Sequence, residues 1–321
     1  MGIGLDIAVI GSGVMGGNHA RVLSSINKCN LVGVVDTSRE RADALAKRVG
    51  TKAYYDYRQL IGKVDGVVVA IPTDLHAKVA CDFLDSGVGV LIEKPIAATL
   101  KEAARILASS RDANVPLMVG HIERFNPIVG ELKKILRNAD VLQVEVKRCS
   151  PPPKRRMGSN VVLDLMIHDI DVLNYVFESM PEPAWAAGGA SISREFEDWC
   201  VAFCKLGGVN CLLSANTITQ KKIRTISVTC NDAYIQADYI DQSIDIYRNY
   251  VPAFVEGKQG IEYKQEYSLD KVGIRRQEPL RLELETFIDC LHGGEPVANG
   301  EDGLANLKVS LAISELIRRK D

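Results

Sequence analysis

Residues 5–17 read Leu5-Asp6-Ile7-Ala8-Val9-Ile10-Gly11-Ser12-Gly13-Val14-Met15-Gly16-Gly17. A short apolar run leads into glycines spaced G-x-G-x-x-G, and a helix-like segment follows at 15–27. That is the strand–turn–helix context a dinucleotide site demands. Gly11 makes the tight turn, Gly13 lets a pyrophosphate approach the backbone, and Gly16 lets the helix pack close to its strand. The free N–H groups from Ser12 through Val14 and Met15 then face the phosphates, reinforced by the helix dipole. Asp36 closes the next apolar run, 20 residues beyond Gly16. A carboxylate there accepts both ribose hydroxyls and repels a 2′-phosphate, so NAD is the expected cofactor. Arg39 and Arg41 stand close enough in sequence to tolerate that phosphate, which keeps NADP open. The plainer alternative makes the glycines turn formers and Asp36 a helix cap.

Outward from this unit the two periods alternate. Runs rich in β-branched residues lie at 7–10, 31–35, 66–70, 88–92 and 116–119. Helix-like segments fall at 15–27, 38–49, 74–87 and 99–111, and Ser38, Thr73 and Thr99 are capping candidates for the last three. Near-continuous apolar strands separated by helices imply an α/β, Rossmann-type, doubly wound parallel sheet covered on both faces. Residues 1–120 are therefore expected to form the dinucleotide-binding domain. After Gly120 the rhythm changes. A helix is expected at 124–138, a strand at 140–149 and a second helix at 161–177. Alternating strands then run from 183 to about 268, with Gly207-Gly208 and Asn231-Asp232 as turns, before helices at 281–292 and 302–319. Residues 121–321 thus read as an α+β domain with a large, mostly antiparallel open sheet and its helices on one face. The other face needs a cover, and self-association into a homodimer or homotetramer is the expected one.

Bulk properties narrow the partners. The chain has 321 residues, about twice the usual single-domain size, which fits two domains. Apolar residues make up 46% and charged residues 25%, ordinary for a globular protein. A net charge of -2 gives no general attraction to nucleic acid or anionic membrane. No apolar run approaches the roughly 20 residues needed to span a bilayer, and the first residues carry no leader-like pattern; a cytoplasmic protein is expected. Eight cysteines are scattered without a C-x-x-C pair or clustered histidines, so they read as reduced, buried small hydrophobes and no metal site is expected.

Two strand ends carry further chemistry. One is Ala70-Ile71-Pro72-Thr73-Asp74-Leu75-His76; the other is Leu91-Ile92-Glu93-Lys94-Pro95. Both lie at the carboxyl edge of the sheet, where doubly wound folds bind ligands. Ile71, Pro72, Thr73, His76, Glu93 and Lys94 are therefore expected around the cofactor, with Thr37 and Arg41 from the second strand's end. At this point the chain resembles the Gfo/Idh/MocA oxidoreductases, whose signature is the Glu-Lys-Pro triplet. The resemblance implies a Rossmann domain followed by an α/β domain whose open sheet mediates dimers or tetramers. It also implies that Lys94 reaches the reacting hydroxyl beside the nicotinamide.

Segment 161–177 is apolar except for a few positions. Asp164, His168, Asp171 and Tyr175 are spaced i, i+4, i+7 and i+11, one stripe on one helix face, with Asp169 well off it. An imidazole can take a hydroxyl proton near pH 7 while a carboxylate one turn away orients it. Residues alone leave a buried structural histidine equally open. The resemblance implies an Asp-x-x-x-His pair in catalysis, so His168 is the expected base, Asp164 its partner, and Lys94 the electrostatic clamp across the nicotinamide.

The segment Gly120-His121-Ile122-Glu123-Arg124-Phe125-Asn126-Pro127 marks the change of rhythm, and His121, Arg124 and Asn126 are candidates for the substrate cleft; a hinge is the alternative. Together with Ser150-Pro151-Pro152-Pro153-Lys154-Arg155-Arg156 and the 161–171 run, it resembles the UDP-N-acetylglucosamine 3-dehydrogenase branch of the family. That branch implies oxidation of a sugar 3-hydroxyl on a UDP-N-acetyl-hexosamine. A diphosphate would give Arg148, Lys154, Arg155 and Arg156 a purpose; a solvated basic loop is the alternative. Other readings keep the fold and change the substrate, to a free polyol or sugar such as myo-inositol, or to an imine or enone. A non-catalytic NAD-binding regulator is disfavoured because Lys94 and His168 are both present.

Overall fold

Apolar runs between helices become a six-stranded, all-parallel sheet, as expected. Its strands are β1 (Leu5–Ile10), β2 (Cys29–Val35), β3 (Lys52–Tyr54), β4 (Gly66–Val69), β5 (Gly89–Glu93) and β6 (Leu117–Gly120). Their order is β3-β2-β1-β4-β5-β6, so the direction of winding reverses between β1 and β4. The computed structural model describes residues 4–152, 158–193, 195–257 and 260–319. These fall into two compact units: residues up to Phe125 with Gln277–Lys308, and Asn126–Arg276 with the residues from Val309.

In the first unit, α1 (Val14–Leu23), α2 (Arg39–Val49), α3 (His76–Leu84) and α4 (Leu100–Ala113) follow β1, β2, β4 and β5. The caps explain where they begin. Ser38 accepts the Arg41 N–H at the start of α2, and Thr99 forms a reciprocal capping box with Glu102 at the start of α4. Thr73 is not a cap: a single 3₁₀ turn, Thr73–Leu75, precedes α3, which starts at His76. A fifth helix, Pro279–Leu291, is numbered α7 in chain order. Its Leu280, Leu284, Phe287 and Ile288 are buried in the same core as Ile7, Val9 and Leu23. The sequence reading gives this helix to the other domain, because its apolar spacing says which face is buried but not against which sheet.

The second unit holds an eight-stranded sheet in the order β14-β13-β12-β11-β7-β10-β9-β8. The strands are β7 (Val141–Cys149), β8 (Glu182–Gly189), β9 (Trp199–Leu206), β10 (Val209–Asn216), β11 (Ile223–Cys230), β12 (Tyr234–Asp238), β13 (Ser243–Gly257) and β14 (Gly260–Lys271). All neighbours are antiparallel except β7 and β10. One face buries alternate residues such as Val144, Val146, Leu213 and Val228. Against that face pack α5 (Pro127–Leu136), α6 (Ile167–Phe177) and the Val309, Ile313 and Ile317 side chains of α8 (Gly300–Arg318). The opposite alternates, Val201, Phe203 and Leu212 among them, are only partly buried. The predicted helix at 124–138 is shorter than expected, because a 3₁₀ turn at Ile122–Phe125 precedes α5 and Pro127 sits at its first position.

All eight cysteines are buried and free. Burial pushes the Cys29 and Cys290 thiols up to about 11 and those of Cys200 and Cys204 up to about 12. No helix among the described residues is long and apolar enough to cross a membrane.

Candidate functional site

In the first unit, the carboxyl ends of β1, β2 and β4 surround a cavity of about 620 Å³. It sits where the strand order reverses, the place doubly wound sheets offer a ligand. Gly11, Gly13, Asp36, Thr37, Arg41, Ile71 and Pro72 all line it, so seven of the residues singled out in sequence converge on one hollow.

Backbone geometry explains the glycines. Gly11 has φ +106°, and a Cβ there would collide with the Ala70 carbonyl. A Cβ on Gly16 would collide with the Gly11 carbonyl, so the start of α1 presses directly on the turn. Gly13, in contrast, has nothing within 4 Å of a would-be Cβ, which leaves its backbone open on the cavity side. Gly13 is the N-cap of α1 and supplies no side-chain cap, so the first N–H groups of the helix remain available to an anion. The Ser12 hydroxyl oxygen is buried without a hydrogen-bond partner among the described residues. Orphan donors at a helix start beside a hydroxyl fit a diphosphate. Val14 and Met15 are exposed and offer it their backbone rather than their side chains.

Asp36 lines the same hollow beyond the glycine turn. Its carboxylate accepts the Ser12 N–H at 3.0 Å and the Ser38 N–H at 2.8 Å, and Arg41 Nη2 donates to it at 2.8 Å. Partial burial pushes the carboxyl up, but these donors outweigh it and hold it below the usual carboxylate range. Asp36 therefore carries its charge at neutral pH. Tyr55, Tyr57, Arg58, Leu75 and Lys78 complete the wall and were not foreseen. The first three follow β3, which is three residues long and too short to show a period of two.

The end of β5 is built from buried charge. Glu93, expected at the cofactor, turns inward instead. Its Oε1 lies 2.7 Å from Nε2 of His19 on α1, and His19 is fully buried. Burial pushes the Glu93 carboxyl up, yet His19 and the neighbouring Lys94 outweigh it and leave it lowered. Gly120 on β6 is the small residue that makes room, since a Cβ there would sit 3.3 Å from the Glu93 carboxyl. The partner 74 residues away is why His19 reads in sequence as an ordinary helix residue. Next to this pair, half-buried Lys94 precedes a cis peptide bond to Pro95. His76 is buried with one ring nitrogen 3.0 Å from the Ile71 carbonyl oxygen and the other 3.0 Å from that of Pro95. It thereby joins the loop that lines the cavity to the loop that carries Lys94; burial lowers its pKa.

Residues of the 120–127 segment are occupied structurally. His121 is buried beside Asn306, with Nε2 3.2 Å from the Asn306 amide nitrogen. Arg124 donates to the Val297 carbonyl at 2.7 Å and to Asp302 at 2.8 Å. Asn126, in the second unit, donates to the Tyr239 carbonyl at 3.0 Å and accepts the Ile128 N–H at the start of α5.

In the second unit, segment 161–177 is not one α-helix. Val162–Met166 is a π turn, and α6 proper begins at Ile167. Asn160 starts it: its side-chain oxygen accepts the Leu163 N–H at 3.0 Å, and its carbonyl accepts the Asp164 N–H at 3.0 Å. Asp164, His168 and Tyr175 are partly exposed, whereas Asp171 is completely buried, so the expected four-residue stripe loses one member. Asp171 shares the unbroken α6 with His168 and Tyr175, so spacing alone does not tell which of them the core covers; the π turn shifts only Asp164 relative to the others. Arg148 also departs from expectation. It is fully buried and donates from Nε to Asp169 at 2.8 Å, so it is not a surface cation for a diphosphate. Lys154, Arg155 and Arg156 lie outside the described residues. Among the described residues, no group of three or more His, Cys, Asp or Glu side chains is placed to hold a metal.

Comparison with known proteins places both parts of the chain in one family. Residues 5–121 match the oxidoreductase family with an NAD-binding Rossmann fold, and residues 138–236 match the GFO/IDH/MocA C-terminal domain. Together they cover more than half of the chain. UDP-N-acetylglucosamine 3-dehydrogenase of Acidithiobacillus ferrooxidans is 28% identical over 99% of this chain and 100% of its own length. Its solved structure superposes with a TM-score of 0.87 at 26% identity, covering 99% of both chains. Myo-inositol 2-dehydrogenase of Thermotoga maritima is 27% identical over 98% of this chain and 97% of its own. The glycine turn with Asp36 beside it, the Glu93-Lys94-Pro95 strand end and the two matched domains lead to one conclusion: the chain belongs to the Gfo/Idh/MocA family of NAD-binding oxidoreductases.

Proposed function

We propose that the protein is an NAD-dependent dehydrogenase that oxidises a sugar hydroxyl, the 3-hydroxyl of a UDP-N-acetyl-hexosamine. The observation that carries this reading is the end-to-end similarity to the A. ferrooxidans enzyme, in sequence and in fold. Lys94, Asp164 and His168 supply the chemistry it needs. Bound NAD supplies the hydride acceptor. His168 takes the hydroxyl proton, Asp164 orients the imidazole and stabilises its cation, and Lys94 holds the charge that develops on the oxygen. Gly11, Ser12, Gly13, Val14, Met15 and Gly16 bind the diphosphate of the cofactor through the backbone, and Asp36 binds its adenosine ribose. Asp36 favours NAD over NADP, since a 2′-phosphate would face its carboxylate; the ratio of the two dissociation constants tests this. In this reading Lys154, Arg155 and Arg156 neutralise the substrate diphosphate. The open face of the second unit's sheet joins copies of the chain into a dimer or tetramer, which sedimentation velocity tests.

Near-equal similarity to the T. maritima enzyme favours a second reading, a free polyol such as myo-inositol. Absorbance of reduced nicotinamide with UDP-N-acetylglucosamine, myo-inositol and glucose 6-phosphate separates the two. Turnover of the nucleotide sugar alone is expected; turnover of myo-inositol alone replaces the first reading by the second. A positioned acid–base group contributes about 10²–10⁴-fold in rate. His168→Ala is expected to lower kcat by that order with the NAD dissociation constant unchanged, and an unaltered kcat removes His168 from the chemistry.

A further inference from the structure

One ion pair in the second unit is buried completely and has no task in the chemistry above. Arg148 lies on β7, the strand between β11 and β10 in the eight-stranded sheet. Its Nε donates to Asp169 Oδ1 at 2.8 Å, and the two side chains are 0% and 3% exposed. The guanidinium carbon also sits 5.4 Å from the centre of the Tyr239 ring, itself buried and held through its carbonyl by Asn126. Asp169 is the residue after His168, in the first turn of α6. Burying two charges costs more than apolar residues of the same volume would, so a pair in this position calls for a reason other than stability.

We infer that the Arg148–Asp169 pair is the anchor that fixes the rotation of α6 and so aims His168; both are positioning residues. Adjacent residues of an α-helix point about 100° apart. A helix pinned at Asp169 to the central part of a sheet therefore has its neighbouring side chain fixed in azimuth. Such pinning is needed here, because the segment just before α6 is a π turn. Local repeat alone does not carry the orientation of Asp164 through that turn into the following helix. An apolar contact would allow α6 to roll by small steps. A charge-assisted hydrogen bond between buried partners has one geometry.

The inference rests on His168 being the base, and the experiment separates the two. In the double variant Arg148→Met with Asp169→Leu, apolar side chains replace the buried pair, an exchange that often preserves folding. Its melting temperature and NAD dissociation constant are expected to stay near wild type. Its kcat with UDP-N-acetylglucosamine, or with myo-inositol if that is the substrate turned over, is expected to fall at least tenfold, with little change in KM. Carbethoxylation by diethyl pyrocarbonate, read by mass spectrometry, gives a second readout that needs no substrate. The rate at His168 relative to that at exposed His292 is expected to change at least threefold. Should the double variant fail to fold, Asp169→Asn keeps a hydrogen-bonding side chain and is expected to give smaller shifts in the same direction. A folded variant with wild-type kcat and a wild-type His168 rate overturns the anchor. If His168→Ala leaves kcat unchanged while the modification rate still shifts in the pair variants, the anchor stands and the assignment of the base falls.

Discussion

The turn into α1 and the turn into α6 both start a helix that holds candidate site residues, yet they are specified in opposite ways. At the first, backbone sterics decide, and most of them lie within a few residues. Gly11 needs a left-handed φ, and Gly16 must lack a side chain because the Gly11 carbonyl occupies its place. At the second, one local contact is joined by distant ones. Asn160 reaches forward to Leu163 and across to Ser314, and Asp169 is held by a strand. A turn fixed by local sterics can be read from spacing; one fixed by tertiary partners cannot.

That contrast can be tested by breaking each side of it. The largest effect is expected from Gly16→Ala, where overpacking against a backbone carbonyl costs about 3 kcal/mol. Thermal denaturation should show the loss, accompanied by loss of NAD binding, and a variant with unchanged melting temperature and NAD affinity would mean the contact relaxes freely.

Next comes Asp198→Asn, in the second unit. The Asp198 carboxylate is buried and accepts the N–H groups of Ser191 at 2.9 Å, Ile192 at 2.5 Å and Ser193 at 2.8 Å. Burial pushes its carboxyl up, but the three N–H donors outweigh that and depress it. A depressed carboxylate stabilises the fold fully above its unfolded pKa, about 3.9, and loses that contribution as the pH falls through the native value. The substitution should cost about 1–3 kcal/mol at pH 7. In urea titrations the gap between wild type and variant should narrow below about pH 4; a gap independent of pH would show that the charge is not what counts.

The smallest effect belongs to Asn160→Ala. Losing the side-chain acceptor at a helix start costs about 1 kcal/mol, read as a lowered urea midpoint. A cost near zero would mean that the π turn stands without its cap, held by its distant partners alone.

Legibility of the whole molecule follows the same division. The strands of the parallel sheet, its glycine turn and the positions of Asp36 and of Glu93-Lys94-Pro95 at strand ends come from period and spacing, because residues close in sequence signal each of them. Thr99 and Glu102 are legible for the same reason. The packing of α7 into the first unit's core, the burial of Arg148 and the His19–Glu93 pair are not, since each depends on a partner far along the chain. Asp171 is not legible either: its i+3 spacing from His168 marks a neighbouring position on α6 but not where burial on that face begins. Tyr55, Tyr57 and Arg58 were lost because they follow a strand too short to announce itself.

The eight buried thiols also amount to a built-in set of reporters. Cys29, Cys81 and Cys290 belong to the first unit, and Cys149, Cys200, Cys204, Cys211 and Cys230 to the second. A sulfur screened from reagent reacts with an alkylating agent only when its surroundings open. Iodoacetamide labelling of the unmodified protein, resolved peptide by peptide, would therefore time the opening of each half separately, without a single engineered probe.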